Sequence, residues 1–324
     1  MKFPRRRFLH LAAGAASFPT ALQIAWAQSW PNRTVRFIVP VAAGGSTDVT
    51  ARFIGEHLSR VFGLQFIVDN RTGAGGTAGM EAVARSAPDG YNILVTTDRV
   101  ASAPHAFKLS FDPVKDLVPI IQITRQPVVL AIHPSLGVAS IAEFLTLAKA
   151  QPGMSYATAG IGVHQHFVGE WFQHLAGIKM SLVPYRGGGQ VVNDLIAGHV
   201  KIASVGSTPL IPHYKAGTLR LLAQSTAERS PSLAEVPTFQ EAGFKGLVLD
   251  QWIGVFARAG TPRSITERLN AEINKVLADT AVRANLMVQA LDPVGGTPEE
   301  AGRLLKGDVE KYGRLIKELN IKLE

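Results

Sequence analysis

Two segments of the sequence combine glycine with hydroxyl side chains where a strand-like apolar run passes into an amphipathic, helix-like run. A helix leaves its first backbone N–H groups without internal partners, so such a start can bind an anion, and glycine lets a ligand approach the main chain. A capped helix without a ligand is the simpler alternative for either segment alone. The predicted anion-binding residues are Gly44, Gly45, Ser46, Thr47 and Asp48 in the first segment, and Thr158, Ala159, Gly160, Gly162 and Val163 in the second.

The glycine-rich segment Asp69–Gly79, DNRTGAGGTAG, resembles a dinucleotide-binding loop. It contains G-x-G-x-x-A, follows an apolar run, and is followed by Asp98 twenty residues after Ala78. In a dinucleotide fold, however, the first glycine follows the first strand of the domain almost immediately, whereas here Asp69–Thr72 intervene and an earlier strand and helix precede them. The pattern favours a tight turn whose glycines adopt positive φ and pack the next helix closely. An exported NAD(P)-dependent oxidoreductase remains the alternative function.

The histidines do not form a metal-binding pattern. His166, Glu170 and His174 share one helix face, but eight residues at about 1.5 Å each separate the outer pair by roughly 12 Å. The sequence also lacks G-x-S-x-G, S-x-x-K, H-E-x-x-H and G-x-x-x-x-G-K-[ST]. These patterns predict a protein that is not an enzyme and that has no metal and no cofactor.

The N-terminus predicts export. Residues 1–27 have a basic start, PRRRFLH, an apolar stretch without acidic residues, and an Ala25-Trp26-Ala27 cleavage site. Arg-Arg-x-Phe-Leu resembles a twin-arginine signal, although Pro4 and His10 depart from the usual pattern. We therefore expect a signal peptide cleaved after Ala27 and a periplasmic location.

Composition narrows the function further. Removing four basic residues with the signal lowers the formal net charge from +8 to +4, and no Lys/Arg run remains, so we expect no nucleic-acid partner. The chain has no cysteine, which excludes disulfides, a thiolate metal site and a lipoprotein anchor. A freely soluble exported protein is the simplest interpretation.

Alternating strand-like and helix-like runs predict an α/β fold with parallel sheets. A second series of such units begins near residue 130, and after residue 260 the pattern is helical only. We therefore predict two lobes with a ligand cleft between them, the second inserted into the first: lobe 1 is residues 28–130 plus 255–324, and lobe 2 is residues 131–254.

Several motifs together resemble the Bug family, the periplasmic solute receptors of tripartite tricarboxylate transporters. The similarity begins near residue 31 and continues to the C-terminus in the family's order. The motifs include RFIVPVAAGGSTDVTAR, VDNRTGAGGTAGMEAVARSAPDGYNIL, SFDPVKDLVPI, PGMSYATAGIGVHQHFVGEWF, VPYRGGGQVVNDLIAGHV and LRLLAQSTAERSPSLAEVPTFQEAG.

The resemblance implies a type 2 periplasmic-binding-protein fold that closes on a small carboxylate. It also implies that main-chain amides, hydroxyls and bridging waters from one loop per lobe hold the carboxylate, which adds Ala43, His166 and Ser207 to the candidates. In the second loop Val163 stands where the family commonly has Ser or Thr, so one hydrogen bond is expected to be missing. At the end of a strand, Arg99 could reach a second ligand carboxylate and Asp98 could reach a ligand amine; a solvated Asp98–Arg99 pair beside the cleft is the alternative.

The expected partners are a small carboxylate and, transiently, membrane transporter subunits, with the receptor itself a monomer. A sensor subunit that binds the same ligand and signals to a kinase is a further alternative.

Overall fold

The computed structural model describes residues 30–321, and its strands and helices lie in the compact unit that begins at Arg33. The predicted signal peptide, residues 1–27, lies outside the described residues. The strands are β1 (Val35–Val39), β2 (Phe66–Asn70), β3 (Asn92–Thr97), β4 (Leu117–Gln126), β5 (Val128–Ile132), β6 (Met154–Thr158), β7 (Met180–Pro184), β8 (Ile202–Gly206), β9 (Arg220–Gln224), β10 (Gln251–Arg258) and β11 (Asp292–Gly295).

Helices alternate with these strands over most of the chain. They are α1 (Ser46–Phe62), α2 (Thr77–Ala84), α3 (Arg99–Ala106), α4 (Ile141–Ala150), α5 (His164–Ala176), α6 (Gly188–Ile196), α7 (Ile211–Lys215), α8 (Arg263–Ala278), α9 (Thr280–Val288) and α10 (Pro298–Leu319). No helix within residues 30–321 has the length and apolar character that crossing a bilayer requires.

Two mixed sheets form the centres of two lobes. The strand orders are β11-β4-β10-β3-β1-β2 in lobe 1 and β7-β6-β8-β5-β9 in lobe 2. Strands β1, β2 and β3 are parallel, as are β6, β7 and β8. By contrast, β5 is antiparallel to β8 and β9, and β10 is antiparallel to β3 and β4. The parallel architecture that the alternating pattern predicts therefore does not extend to β5 and β10, because these strands arrive from the other lobe and not through a βαβ crossover, nor to β11, which is antiparallel to β4.

The chain changes sheets at Pro127 and just before Gln251. Residues 128–130 therefore lie in the sheet of lobe 2 and residues 251–254 in that of lobe 1, so the sheet changes lie within a few residues of the predicted crossings near 130 and 254. Pro127 has no N–H to donate to a ladder, so β4 ends before it and the apolar run beyond it joins the other sheet. Strand β11 also corrects the expectation of helices alone after residue 260.

Local sequence explains where the helices at the cleft begin and end. Helix α1 ends at Gly63 and α5 at Gly177, both in the left-handed conformation that glycine adopts without steric cost. Between these ends, α1 buries Ile54 and Leu58, and α5 buries Phe167 among other residues. The apolar faces hold the C-terminal parts of both helices against their sheets, which leaves their N-termini at the carboxyl ends of the parallel strands.

Candidate functional site

Three helix N-termini converge on one small cavity between the lobes. The N-cap residues are Gly45 for α1, Val163 for α5 and Gly187 for α6, and none of the three helices has a side-chain cap. All three N-caps line a cavity of about 40 Å³, which we call the inner cavity. Each helix start carries a partial positive charge of about half a unit, so the inner cavity suits an anion.

A larger outer cavity of about 590 Å³ adjoins the inner one. Val41, Arg99 and Ala159 line both cavities, so the two are continuous along these residues. The remaining lining of the outer cavity is largely apolar or glycine, with a second cation at the exposed Arg186. Within the described part of the chain, no carboxylate side chain lines either cavity. The other residues that line the outer cavity are Pro40, Thr72, Gly73, Ala74, Gly75, Gly76, Phe107, Gly160, Ile161, Pro184 and Tyr185.

Arg99 is a buried cation without a counter-ion among residues 30–321. Its side chain is 3% exposed, Nη2 donates to the Ile161 carbonyl at 3.3 Å, and Nε has no hydrogen-bond partner there. Burial lowers the pKa of Arg99 to about 10, against a smaller raising effect of the Asp98 charge, so the guanidinium stays protonated at neutral pH. A buried charge without a partner is costly, and an anion in the adjoining cavity would offset that cost.

The glycine-rich segment after β2 makes room for Arg99. Gly73, Gly75 and Gly76 have φ of 131°, 66° and 91°, as the turn prediction required. A Cβ on Gly75 would overlap Nη2 of Arg99, and one on Gly76 would lie 3.1 Å from its Nε. The segment thus lines the outer cavity as well as packing α2, a role that the sequence did not reveal.

The first predicted loop divides into residues that line the inner cavity and residues that shape the loop. Ser46 and Thr47 line the cavity, and the Ser46 hydroxyl accepts from Gln126 Nε2 at 2.6 Å. Asp48 points away from the cavity: its carboxylate accepts from the Gly44 N–H at 3.1 Å and from Arg52 at 2.9 Å. Burial raises the pKa of Asp48, but the hydrogen bonds from Arg52, Asn70 and Gly44 outweigh it and lower the pKa overall.

The second loop is held in the same manner. Thr158 is buried and hydrogen-bonds to Gly160, while the Gly162 N–H donates to Nδ1 of His166 at 3.2 Å. Burial lowers the pKa of His166 despite the nearby Glu170, which keeps the ring neutral and Nδ1 free to accept. His166 is therefore a loop-shaping residue in this geometry.

The structure brings together about half of the predicted site residues. Lining one or both cavities are Gly45, Ser46, Thr47, Arg99, Ala159, Gly160 and Val163. Ala43 and Gly44 are exposed beside the inner cavity, and the Ser207 hydroxyl is 3.4 Å from the Ala290 carbonyl. Outside the lining are Ala43, Gly44, Asp48, Thr158, Gly162, His166 and Ser207.

Two further contributors to the site were missed. The first is the N-terminus of α6, where the sequence Arg186-Gly187-Gly188-Gly189 follows a strand just as the two predicted loops do, so the same signal could have identified it. The second is the pair Gln126 and Gln251, joined by a hydrogen bond of 2.6 Å. Gln251 lines the inner cavity, and Gln126 binds Ser46 of lobe 1 and Thr208 of lobe 2.

Comparison with known proteins places the chain in a family. A family model described as the tripartite tricarboxylate transporter family receptor matches residues 50–321. The chain belongs to this family. Among relatives of this receptor, protein BugT of Bordetella pertussis is 34% identical over 305 residues, which cover 92% of this chain and 93% of that protein. The resemblance noted in the sequence is confirmed, and the family is one of solute-binding receptors and not of enzymes.

Solved structures confirm the two-lobed periplasmic-binding-protein fold of this receptor. An R. palustris protein solved with adipate is 32% identical, with a TM-score of 0.88 over 90% of this chain and 99% of that chain. MatC from Rhodopseudomonas palustris, solved with bound malate, is 28% identical, with a TM-score of 0.84 over 89% of this chain and 100% of that chain. Both of these relatives were therefore solved with a small dicarboxylate.

Proposed function

We propose that this protein is a periplasmic solute-binding receptor that captures a small carboxylate between its two lobes and delivers it to a tripartite tricarboxylate-type transporter. The observation that carries the proposal is the convergence of three helix N-termini without side-chain caps beside the buried Arg99, whose Nε has no hydrogen-bond partner among residues 30–321. Three helix N-termini, each with about half a positive charge, and the full positive charge of Arg99 meet there. Among residues 30–321, no carboxylate side chain lines the inner cavity. An anionic ligand supplies the missing charge.

The sizes of the inner and outer cavities suit different parts of the ligand. At about 40 Å³, the inner cavity has room for the two oxygens of a carboxylate and little more. The body of the ligand then extends past Arg99 into the outer cavity, where Phe107, Ile161 and Tyr185 offer apolar contact. We propose Gly45, Ser46, Thr47, Val163 and Gly187 as the carboxylate-binding residues, with main-chain N–H groups as the principal donors.

Export and delivery complete the proposed function. The signal peptide predicted in residues 1–27 would direct the chain to the periplasm, and closure of the lobes about Pro127 and Asp250 would present the loaded receptor to the membrane subunits. A monomer suffices, because one chain supplies both sides of the cavity. Co-purification of the loaded receptor with transporter subunits, and not with a sensor kinase, is the expected result.

A ligand panel tests the receptor function directly. Mature protein, residues 28–324, is partly unfolded and refolded to remove carried-over ligand, and its thermal midpoint is measured with malate, adipate, tricarboxylates, aromatic acids, amino acids and NAD(P). A ligand at about 100 times its Kd adds roughly 2.7 kcal/mol to stability, which raises the midpoint visibly. We expect a shift with one class of carboxylate. A shift with NAD(P) and none with carboxylates would replace the receptor with the oxidoreductase.

Loss of the hydroxyls of Ser46 and Thr47 should weaken carboxylate binding. The double variant Ser46→Ala/Thr47→Ala should lose about 0.5 to 1.5 kcal/mol for each lost hydrogen bond, measured by calorimetric titration. Ser59→Ala is the matched control, because Ser59 lies at the other end of α1, where its hydroxyl bonds to Gly55 and Phe66. Equal affinities of the double variant and the wild type would remove these hydroxyls from the site.

A further inference from the structure

A buried polar cluster joins the two lobes next to the inner cavity. His164, the first residue of α5 in lobe 2, is 1% exposed, and its Nδ1 lies 2.5 Å from Oδ2 of Asp98 and 2.6 Å from the hydroxyl of Tyr312. Asp98 follows β3, and Tyr312 lies on α10, so both belong to lobe 1. On the other side of the ring, Nε2 lies 2.6 Å from the Leu249 carbonyl oxygen.

The chemistry of these partners fixes the number of protons in the cluster. A carbonyl oxygen only accepts, so Nε2 of His164 must donate to Leu249. Tyr312 has one hydroxyl proton, and it donates that proton to Oδ2 of Asp98. A second proton must then lie between Nδ1 of His164 and Asp98, since two lone pairs would repel each other at 2.5 Å. The contact therefore holds one proton more than a neutral histidine and an ionised carboxylate hold when apart.

Several charged groups surround His164. Asp98 is in contact with the ring, and Asp308 and Asp250 contribute further negative charge. Two cations offset part of that charge: Lys311 pairs with Asp308 at 3.1 Å, and the charge of Arg125 acts on Asp250. Burial alone lowers the pKa of His164, but the attraction of Asp98, the hydrogen bonds to Asp98 and Leu249, and the charge of Asp308 together raise it above its ordinary value. The direction agrees with the proton count from the geometry.

The cluster also positions the start of α5. Val163, the residue before His164, lines the inner cavity, and Ser102 of lobe 1 donates to the Gly162 carbonyl at 2.7 Å. Resting on the proposed carboxylate receptor function, we propose that closure of the lobes on the ligand takes up one proton, held between His164 and Asp98, and that this proton fixes the N-terminus of α5 at the carboxylate. His164 acts as a positioning residue and does not contact the ligand.

The difference between the pKa of His164 in the open receptor and in the closed receptor determines how ligand affinity changes with pH. In an open receptor His164 is separated from Asp98 and titrates near its ordinary pKa of about 6.5. In the closed receptor its pKa is higher, so the contribution to affinity is complete below about 6.5 and is lost as the pH rises through the closed-state value. Within that window, affinity should fall with rising pH by as much as about tenfold per unit.

Proton uptake can be measured on the wild-type protein. Malate and adipate are titrated calorimetrically into the mature receptor at about pH 7.5 in phosphate and in Tris, two buffers whose ionisation enthalpies differ. We expect binding enthalpies that differ by an amount corresponding to uptake of up to about one proton. Binding with equal enthalpies in the two buffers would overturn the proton proposal and leave the receptor function standing. Failure of these and all other panel carboxylates to bind would overturn both.

Two variants test whether His164 binds the proton or has only a structural role. His164→Gln should abolish proton uptake and flatten the dependence of Kd on pH between about 6 and 8.5. Tyr312→Phe keeps the ring volume and should retain uptake, because the proton lies between His164 and Asp98. His174→Gln, an exposed change on the same helix, is the control and should behave as the wild type. Unchanged uptake in His164→Gln would overturn the assignment even if that variant were less stable.

Discussion

Arg99→Met should weaken carboxylate binding strongly and, at the same time, stabilise the unliganded protein. Truncating one partner of a buried charge pair costs about 2 to 5 kcal/mol, so Kd should rise by about 30-fold to several thousand-fold. Without a ligand, however, the guanidinium is a buried charge whose Nε is unpaired within the described residues. Replacing it with an apolar side chain of similar length should therefore raise the free energy of unfolding by about 1 to 4 kcal/mol.

Calorimetric titration and chemical denaturation of the same samples test the two halves of this prediction. Arg186→Met is the comparison variant, because Arg186 also lines the outer cavity but is exposed and screened by water. Its effect on affinity should stay below about 1 kcal/mol and should diminish with added salt. If Arg99→Met and Arg186→Met weakened binding equally, the buried cation would have no special part in recognition.

Gly75→Ala should weaken ligand binding through its effect on Arg99. The new methyl group would overlap Nη2 of Arg99 and lie 2.6 Å from Cζ of Phe107, so one or both side chains would move into the outer cavity. Overpacking of this kind costs about 1 to 3 kcal/mol, and we expect a comparable loss of binding free energy. The positive φ of 66° adds a stability cost of about 1 to 2 kcal/mol for any residue with a Cβ.

Gly63→Ala separates the two effects. Gly63 also has a φ of 66°, but a Cβ there would have no neighbour within 4 Å. Both variants should therefore lose about 1 to 2 kcal/mol of unfolding free energy to backbone strain, Gly75→Ala should lose more to overpacking, and only Gly75→Ala should lose affinity in calorimetric titration. Equal affinities in the two variants would show that the space around Arg99 does not govern binding.

The elements that carry strong periodicity could be predicted from the sequence. The apolar spacing is strong in helices α1 and α5 and in strands β6 and β7, so these elements follow from the sequence, as does the inserted second lobe. Helix α3 and strand β11 were not predicted, since α3 contains Pro104 and β11 is only the four residues DPVG. Neither has enough local signal, and both depend on packing from distant parts of the chain, such as α10 against α3.

The candidate site shows a similar division. Loop chemistry drew attention to Ser46, Thr47 and Gly160, which line the cavities, because a glycine-rich helix start is a local feature. The cluster of Asp98, His164 and Tyr312 could not be anticipated, because Asp98 and Tyr312 are 214 residues apart in lobe 1 and His164 contacts them from lobe 2. The structure turns Asp98 toward His164 and away from both cavities, so contact between Asp98 and a ligand amine does not fit this geometry.

A site built from helix starts has a consequence for how its ligand preference can be changed. Main-chain amides stay the same whichever side chains are exchanged, so the proposed carboxylate anchor is insulated from most substitutions. The variable part of recognition then rests on the few side chains of the outer cavity, chiefly Arg99, Phe107, Tyr185 and Arg186. A combinatorial library at Phe107, Tyr185 and Arg186, with Arg99 kept, would vary the chemistry offered to the body of the ligand and retain carboxylate binding, which makes this scaffold well suited to engineered biosensors for organic acids.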